Sequence, residues 1–228
     1  MALEGILFDL DGTLIDFQID YKRARDKTIE VLEKHGYPRG KLNRNMLVLE
    51  MVDSAMEYFQ VHLGLEKEDM EEIKKEISNK VAEIEKKAAL KASAIQGIHD
   101  VLSFLQDNNI KMGILTFNTT ENAIISIETA KLKQYFNNIE YYVGRDQVKK
   151  PKPHANHAKE LMQRMDLEAE EVVLIGDHPR DIECANNIDA TSIAIVSEKH
   201  ESDKFHTPHT IKVDKISSEL IPLLEKML

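Results

Sequence analysis

One cysteine, Cys184, stands in 228 residues. No internal disulfide can form, and such sparing use fits a reducing compartment. Long apolar runs are also missing. No stretch approaches the ~18–20 residues that a membrane span needs, and the N-terminus has no basic region leading into a signal-like apolar core. Positive charge is scarce: 30 Lys and Arg face 40 Asp and Glu, for a formal net charge of −10. That balance disfavours nucleic acid or an acidic membrane as a general partner, because both are polyanions. Internal repeats and low-complexity tracts are absent. These absences predict a cytoplasmic protein with no nucleic-acid or membrane partner; a monomer or a homodimer is expected, and no residue pattern decides between them.

What is present is an ordinary globular composition, 42% apolar and 31% charged, long enough for a sizeable core. Short apolar runs predict strands at 5–10 (GILFDL), 111–117 (KMGILTF), 139–143 (IEYYV), 171–176 (EVVLIG) and 191–196 (TSIAIV). They lack polar alternation, as expected for strands buried on both faces of a parallel sheet. Helical patterns lie between the later runs, with an apolar stripe at Ile98, Val101, Leu102 and Leu105. A tail helix at 216–227 should be limited or kinked by Pro222. Strand and helix in alternation imply an α/β fold with a doubly wound parallel sheet. One region departs from this rhythm. Residues 16–92 offer three helical segments, 21–36, 47–64 and 67–90, and no strand. We therefore expect a Rossmann-like core, 1–15 and 93–228, with a helical insert, 16–92.

In open α/β sheets, ligands bind beyond the carboxyl ends of the strands. The strand ends deliver Asp9, Asp11, Gly12 and Thr13; Thr116 and Asn118; and Gly176, Asp177 and Asp181. A Pro-rich turn, KKPKPH (149–154), adds lysines. If these converge, four carboxylates meet a hydroxyl, an amide and an ammonium. Such a cluster repels itself, since two unit charges ~4 Å apart cost ~4 kcal/mol at an effective dielectric near ~20. A divalent cation would offset this, and hard oxygen ligands favour Mg²⁺, which often binds with a substrate phosphate. Each element also has a plain reading: Asp-Gly as a turn, Thr116 as a strand end, KPKP as a loop, and Asp177 as a helix N-cap before Pro179. A calcium loop starting at Asp9 fails, because its sixth and twelfth positions are Leu14 and Asp20.

The ordered set resembles the haloacid dehalogenase superfamily, and within it the phosphatases related to phosphoglycolate phosphatase. The matching motifs are Asp9-Leu10-Asp11-Gly12-Thr13, MGILT ending at Thr116, the Lys-Pro turn KKPKPHA, and Gly176-Asp177-His178-Pro179-Arg180-Asp181. The resemblance implies a phosphatase core with a helical cap in the insert, acting on a small phosphorylated metabolite with Mg²⁺. Asp9 would be the nucleophile and Asp11 the acid and base. Asp9, the Asp11 carbonyl and Asp177 would hold the metal, with Asp181 assisting. Thr116, Asn118 and a lysine, Lys152 ahead of Lys150, would bind the phosphoryl group. Asp11 favours a phosphatase over a dehalogenase, because a halide leaves without a proton; a phosphomutase or a non-catalytic binding protein remains an alternative. Three departures stand out. Phe117 separates Thr116 from Asn118, His178 replaces a common Ser, and NNIDATSIAI lacks the usual glycine. The cations Arg23, Arg25, Arg39, Lys41 and Arg44 of the insert could meet a second anion or simply face solvent. The histidines of 199–209 fit a solvated loop better than a metal site.

Overall fold

The computed structural model describes residues 3–16, 19–196, 205, 207 and 209–228. The chain opens with β1 (Gly5–Phe8) and the short β2 (Ile15–Asp16). Three helices follow: α1 (Tyr21–Lys34), α2 (Val48–Tyr58) and α3 (Lys67–Ala89). The two-residue β3 (Ser93–Ala94) returns to pair antiparallel with β2. Helix and strand then alternate through α4 (Ile98–Asp107), β4 (Lys111–Leu115), α5 (Thr120–Thr129), β5 (Tyr142–Val143), α6 (Ala155–Met165), β6 (Val172–Gly176), α7 (Pro179–Asn186) and β7 (Thr191–Val196). β8 (His209–Lys212) and α8 (Ile221–Glu225) close the chain.

Six of the strands form one parallel sheet in the order β5-β4-β1-β6-β7-β8. The chain lays β4 and β5 on one side of β1, then crosses to add β6, β7 and β8 on the other. Strand order therefore reverses between β1 and β6, the place where such sheets open a crevice beyond their carboxyl ends. Side chains alternate across the sheet. Ile6, Phe8, Ile114, Val173 and Ile175 pack on one face with Val101 and Leu105 of α4 and Ile127 of α5. Leu7, Leu115, Val143 and Leu174 pack on the other with Leu161 and Met165 of α6 and Cys184 of α7. Both faces are covered, which explains the unbroken apolar runs. Cys184 is a buried packing residue, and burial pushes its thiol up to about 11.

The chain divides into two compact units, Met1–Phe17 with Ala89–Leu228, and Gln18–Ala88. The second is all helical. Val31, Leu32, Met51, Ala55, Phe59, Ile73 and Ile77 form its core, and Glu76 of α3 binds Lys34 and His35 beside α1 at 2.9 and 2.8 Å. Asp20 caps α1 by accepting from the Arg23 N–H at 2.9 Å. Arg44 pairs with Asp26, while Arg23, Arg39 and Lys41 are exposed and Arg25 is half-buried.

Several elements differ from expectation. Only Tyr142–Val143 of the 139–143 run joins the sheet, because Asn138 caps a 3₁₀ turn at Ile139–Tyr141 by accepting from the Glu140 N–H. The segment 47–64 is regular to Tyr58, then widens into a π-helical turn, Phe59–Leu63, closed by left-handed Gly64. The tail is likewise broken into a π-helical turn, Ile216–Leu220, and α8, with Pro222 in its first turn. His209 lies in the edge strand β8, not in a loop, while His200 and His206 lie outside the described residues. Where the glycine is missing before β7, Asp189 takes the left-handed conformation (φ 58°), which Asp tolerates better than most side chains.

Candidate active site

Three strand ends build the site. β1 runs straight into Asp9, whose N–H continues the ladder by donating to the Ile175 carbonyl at 2.8 Å. The chain then turns at Gly12 (φ 84°). A side chain there would sit 2.2 Å from Asp177 Oδ2. Gly12 thus serves both the turn and the close approach of the two motifs. β6 ends in Gly176, over which the Asp181 carboxylate lies so tightly that a Cβ would be 2.4 Å from it. Asp181 also closes the first turn of α7: it accepts from the His178 N–H at 3.0 Å, and His178 Nδ1 accepts from the Arg180 N–H at 3.1 Å. The N-cap is therefore His178, and Asp177 is left for other work.

Asp9, Asp177 and Asp181 each place a carboxylate oxygen so that all three lie within 4.8 Å of one another. Lys152 enters this group from the turn before α6. Its ammonium lies 2.6 Å from Asp9 Oδ1 and 2.5 Å from Asp181 Oδ1, and it donates to the Leu115 carbonyl at 2.8 Å. Asp9, Lys152 and Asp181 are 7%, 3% and 2% exposed, whereas Lys150 is exposed. On the neighbouring turn, Asn118 donates to Asp11 Oδ2 at 2.7 Å. Its own N–H is held by Thr116 Oγ1 at 3.0 Å. Thr13 Oγ1 is buried with no hydrogen-bond partner among the described residues.

The electrostatics follow from burial. Burial pushes the Asp9 carboxyl up to about 8, Lys152 opposing while Asp181 and Asp177 add to the rise. Burial, then the Asp181 charge, pushes Asp177 up to about 7, and Asp11 adds to it. For Lys152, burial acts downward, but Asp181 and Asp9 outweigh it and hold the ammonium above its usual range. These shifts pull against each other, since a charged Lys152 favours a charged Asp9. The ammonium prevails because it faces two carboxylates, whereas burial and neighbouring carboxylates raise Asp9 and Asp177. Hard oxygen donors, crowded together and short of positive charge, fit a divalent cation.

His157 escaped sequence reading. It is fully buried, and its Nδ1 accepts from the Lys152 N–H at 3.1 Å while Nε2 faces the Val143 carbonyl at 3.0 Å. Burial, then the Lys152 charge, pushes it down to about 4, so the ring is neutral and donates through Nε2. It fixes the backbone from which Lys152 reaches. The signal was present as the His five residues after that lysine, but its lone spacing matches a helix-face residue equally well.

The family of haloacid dehalogenase-like hydrolases matches residues 6–195, and the chain belongs to it; the doubly wound sheet with carboxylates and a lysine at its switch point agrees with that membership. The superfamily resemblance, the α/β fold and the expected hydrolase are thereby borne out. The chain is 23% identical over 225 residues to the pyrophosphatase PpaX of Oceanobacillus iheyensis, covering 93% of this chain and 94% of that protein. It is 26% identical over 191 residues to a phosphorylated carbohydrates phosphatase of Thermotoga maritima, covering 81% of each. Among solved structures it is similar to a HAD hydrolase, family IA, variant 3, of Entamoeba histolytica. That match has a TM-score of 0.68 at 20% identity and covers 98% of this chain and 100% of the other. Among the described residues, no helix is long and apolar enough to cross a membrane.

Proposed function

We propose that the protein is a Mg²⁺-dependent phosphatase that hydrolyses a small phosphate monoester through an aspartyl-phosphate at Asp9. The observation that carries this reading is the placement of Asp9: a buried carboxylate at the switch point, with a lysine on one oxygen and two more carboxylates beside it. Asp9, Asp177 and the Asp11 backbone carbonyl would hold the metal, with Asp181 beside them. When bound, the cation would neutralise the cluster and the charge of the phosphoryl oxygens.

In the first half-reaction an Asp9 carboxylate oxygen attacks phosphorus, and the bond to the ester oxygen breaks. Asp11 delivers a proton to that leaving oxygen, its carboxyl aimed by Asn118. Lys152, with Thr116 and Asn118, binds the phosphoryl oxygens. In the second half-reaction Asp11 takes a proton from water, the water oxygen attacks phosphorus, and the Asp9–phosphorus bond breaks to release inorganic phosphate. Asp11 is what a phosphate ester needs and a departing halide does not. The helical insert, 16–92, is assigned as the cap of this core, and the names of the two phosphatase relatives agree with a small phosphorylated substrate.

The test is hydrolysis of p-nitrophenyl phosphate by purified protein with Mg²⁺ and with chelator. Turnover that needs the metal and falls by ~10³-fold or more in Asp9→Asn supports the reading. Turnover that survives either change refutes it.

A further inference from the structure

The turn after β4 carries a group that this chemistry leaves unused. Phe117 separates Thr116 from Asn118, and the Arg145 guanidinium pins its backbone by donating to its carbonyl. Its half-buried ring faces two cations. Lys152 Nζ lies 5.9 Å from the ring centroid, and Arg180 Cζ lies 5.3 Å from it. Arg180 stands between Asp177 and Asp181 in sequence, and its N–H is committed to His178. Among the described residues its guanidinium makes no ion pair. A ring face is worth ~0.5–1 kcal/mol to a cation at such a site, which orients the side chain without neutralising it. A half-buried, oriented cation without a carboxylate partner is notable in a chain of net charge −10.

We infer that Arg180, oriented by Phe117, binds a second oxyanion of the substrate. The favoured substrates are then phosphate compounds that carry another phosphoryl or carboxylate group on the leaving side. This rests on the phosphatase reading above and names its substrate class. Lys152 and the carboxylate cluster take the phosphoryl group that is transferred. A second anion a few bonds away would be repelled by that cluster unless it met a cation of its own. The guanidinium fork suits both phosphoryl and carboxylate oxygens, because it can donate two parallel N–H bonds. An uncharged leaving group offers Arg180 nothing. Phe117 acts as a positioning residue, setting where the fork lies.

The test compares inorganic pyrophosphate and 2-phosphoglycolate with p-nitrophenyl phosphate, in the wild-type protein and in Arg180→Met, Arg180→Lys and Phe117→Leu. The ratio of kcat/KM for a substrate with an anionic tail to that for p-nitrophenyl phosphate should fall ~10-fold in Arg180→Met, mainly through KM. Arg180→Lys should restore part of it, and Phe117→Leu should lower it less. Whichever of the two substrates shows the larger drop identifies the second group. An unchanged ratio, or an equal loss on all three substrates, overturns the inference. Should the wild-type protein hydrolyse none of them, the phosphatase reading fails, and binding still decides this point. Calorimetry with methylenediphosphonate and methylphosphonate should then show Arg180→Met weakening the first ~10-fold more than the second. Equal weakening, or none, refutes the second-anion site.

Discussion

Replacing Lys152 with Met tests the balance of charge in the cluster. The substitution keeps most of the apolar side chain and removes an ammonium that lies 2.6 Å from Asp9, 2.5 Å from Asp181 and 2.8 Å from a backbone carbonyl. Breaking a buried ion pair by deleting one partner costs ~3–5 kcal/mol, because the other charge is left without compensation. For a chain of this size each kcal/mol moves Tm by ~2–4 °C. A drop of at least ~6 °C is therefore expected at pH 8 in chelator. The deficit must depend on pH. Lys152 is raised in the folded state, so its contribution is complete below its unfolded value and cannot fade between pH 4 and 8. Its partner Asp9 can: raised to about 8, it is protonated at low pH and needs no cation, so near pH 4 the variant should lie closer to the wild type. The deficit should then grow as pH rises toward about 8 and Asp9 ionises, and Mg²⁺ added at pH 8 should return part of it. Melting curves followed by circular dichroism measure this directly. A deficit of under ~1 kcal/mol, or one equal at pH 4 and pH 8, would refute the charge-balance argument. Lys150→Ala is the control, since Lys150 is exposed.

Three further outcomes follow from the same geometry. Asp9 is raised by burial to about 8, so in the metal-free protein its contribution to stability is largest below the unfolded value and is lost as pH climbs through about 8. Asp9→Asn should therefore melt higher than the wild type above pH 8 in chelator and lose that advantage near pH 4; a variant that is less stable at high pH would contradict the shift. Gly12→Ala would force a side chain into a left-handed position and against Asp177. It should cost ~1–2 kcal/mol in stability and cut turnover by ~10-fold or more, measured by melting and by steady-state kinetics, and a fully active variant would show that Asp177 does not need that close approach. Asn118→Ala removes the 2.7 Å bond that aims Asp11. It should lower kcat by ~10–100-fold, less than the ~10²–10⁴-fold of a general acid itself because Asn118 only aims the carboxyl, with an unchanged kcat counting against Asp11 as the proton donor.

How far the sequence could be read depended on how local the signal was. The strands buried on both faces, β1, β4, β6 and β7, announced themselves as unbroken apolar runs, and the Asp, Thr and Gly residues at their ends announced the site. β8 did not: it is an edge strand of mixed polarity, HTIK, stabilised by one neighbour, so no hydrophobic pattern marks it. β2 and β3 are two residues each, too short for any period, and they pair across the whole helical insert. The two π-helical turns also left no trace, since a helix that widens keeps nearly the same apolar spacing. In the site, Lys152 and Lys150 look alike in KKPKPH, and only the fold puts one under Asp9 and the other in solvent. His157 and Arg180 matter through what they touch, Lys152 and Phe117, and those contacts are long-range or stereochemical.

In the proposed reaction Asp9 carries the phosphoryl group between the two half-reactions. The most direct measurement is to quench the protein in acid during turnover of p-nitrophenyl phosphate with Mg²⁺, reduce it with borohydride and map the peptides by mass spectrometry. An acyl phosphate is reduced to an alcohol, whereas a free carboxylate is not. Homoserine is expected at position 9 and at no other aspartate, appearing only with substrate and absent in Asp9→Asn. Active protein with aspartate 9 unreduced, or homoserine at another position, would contradict it.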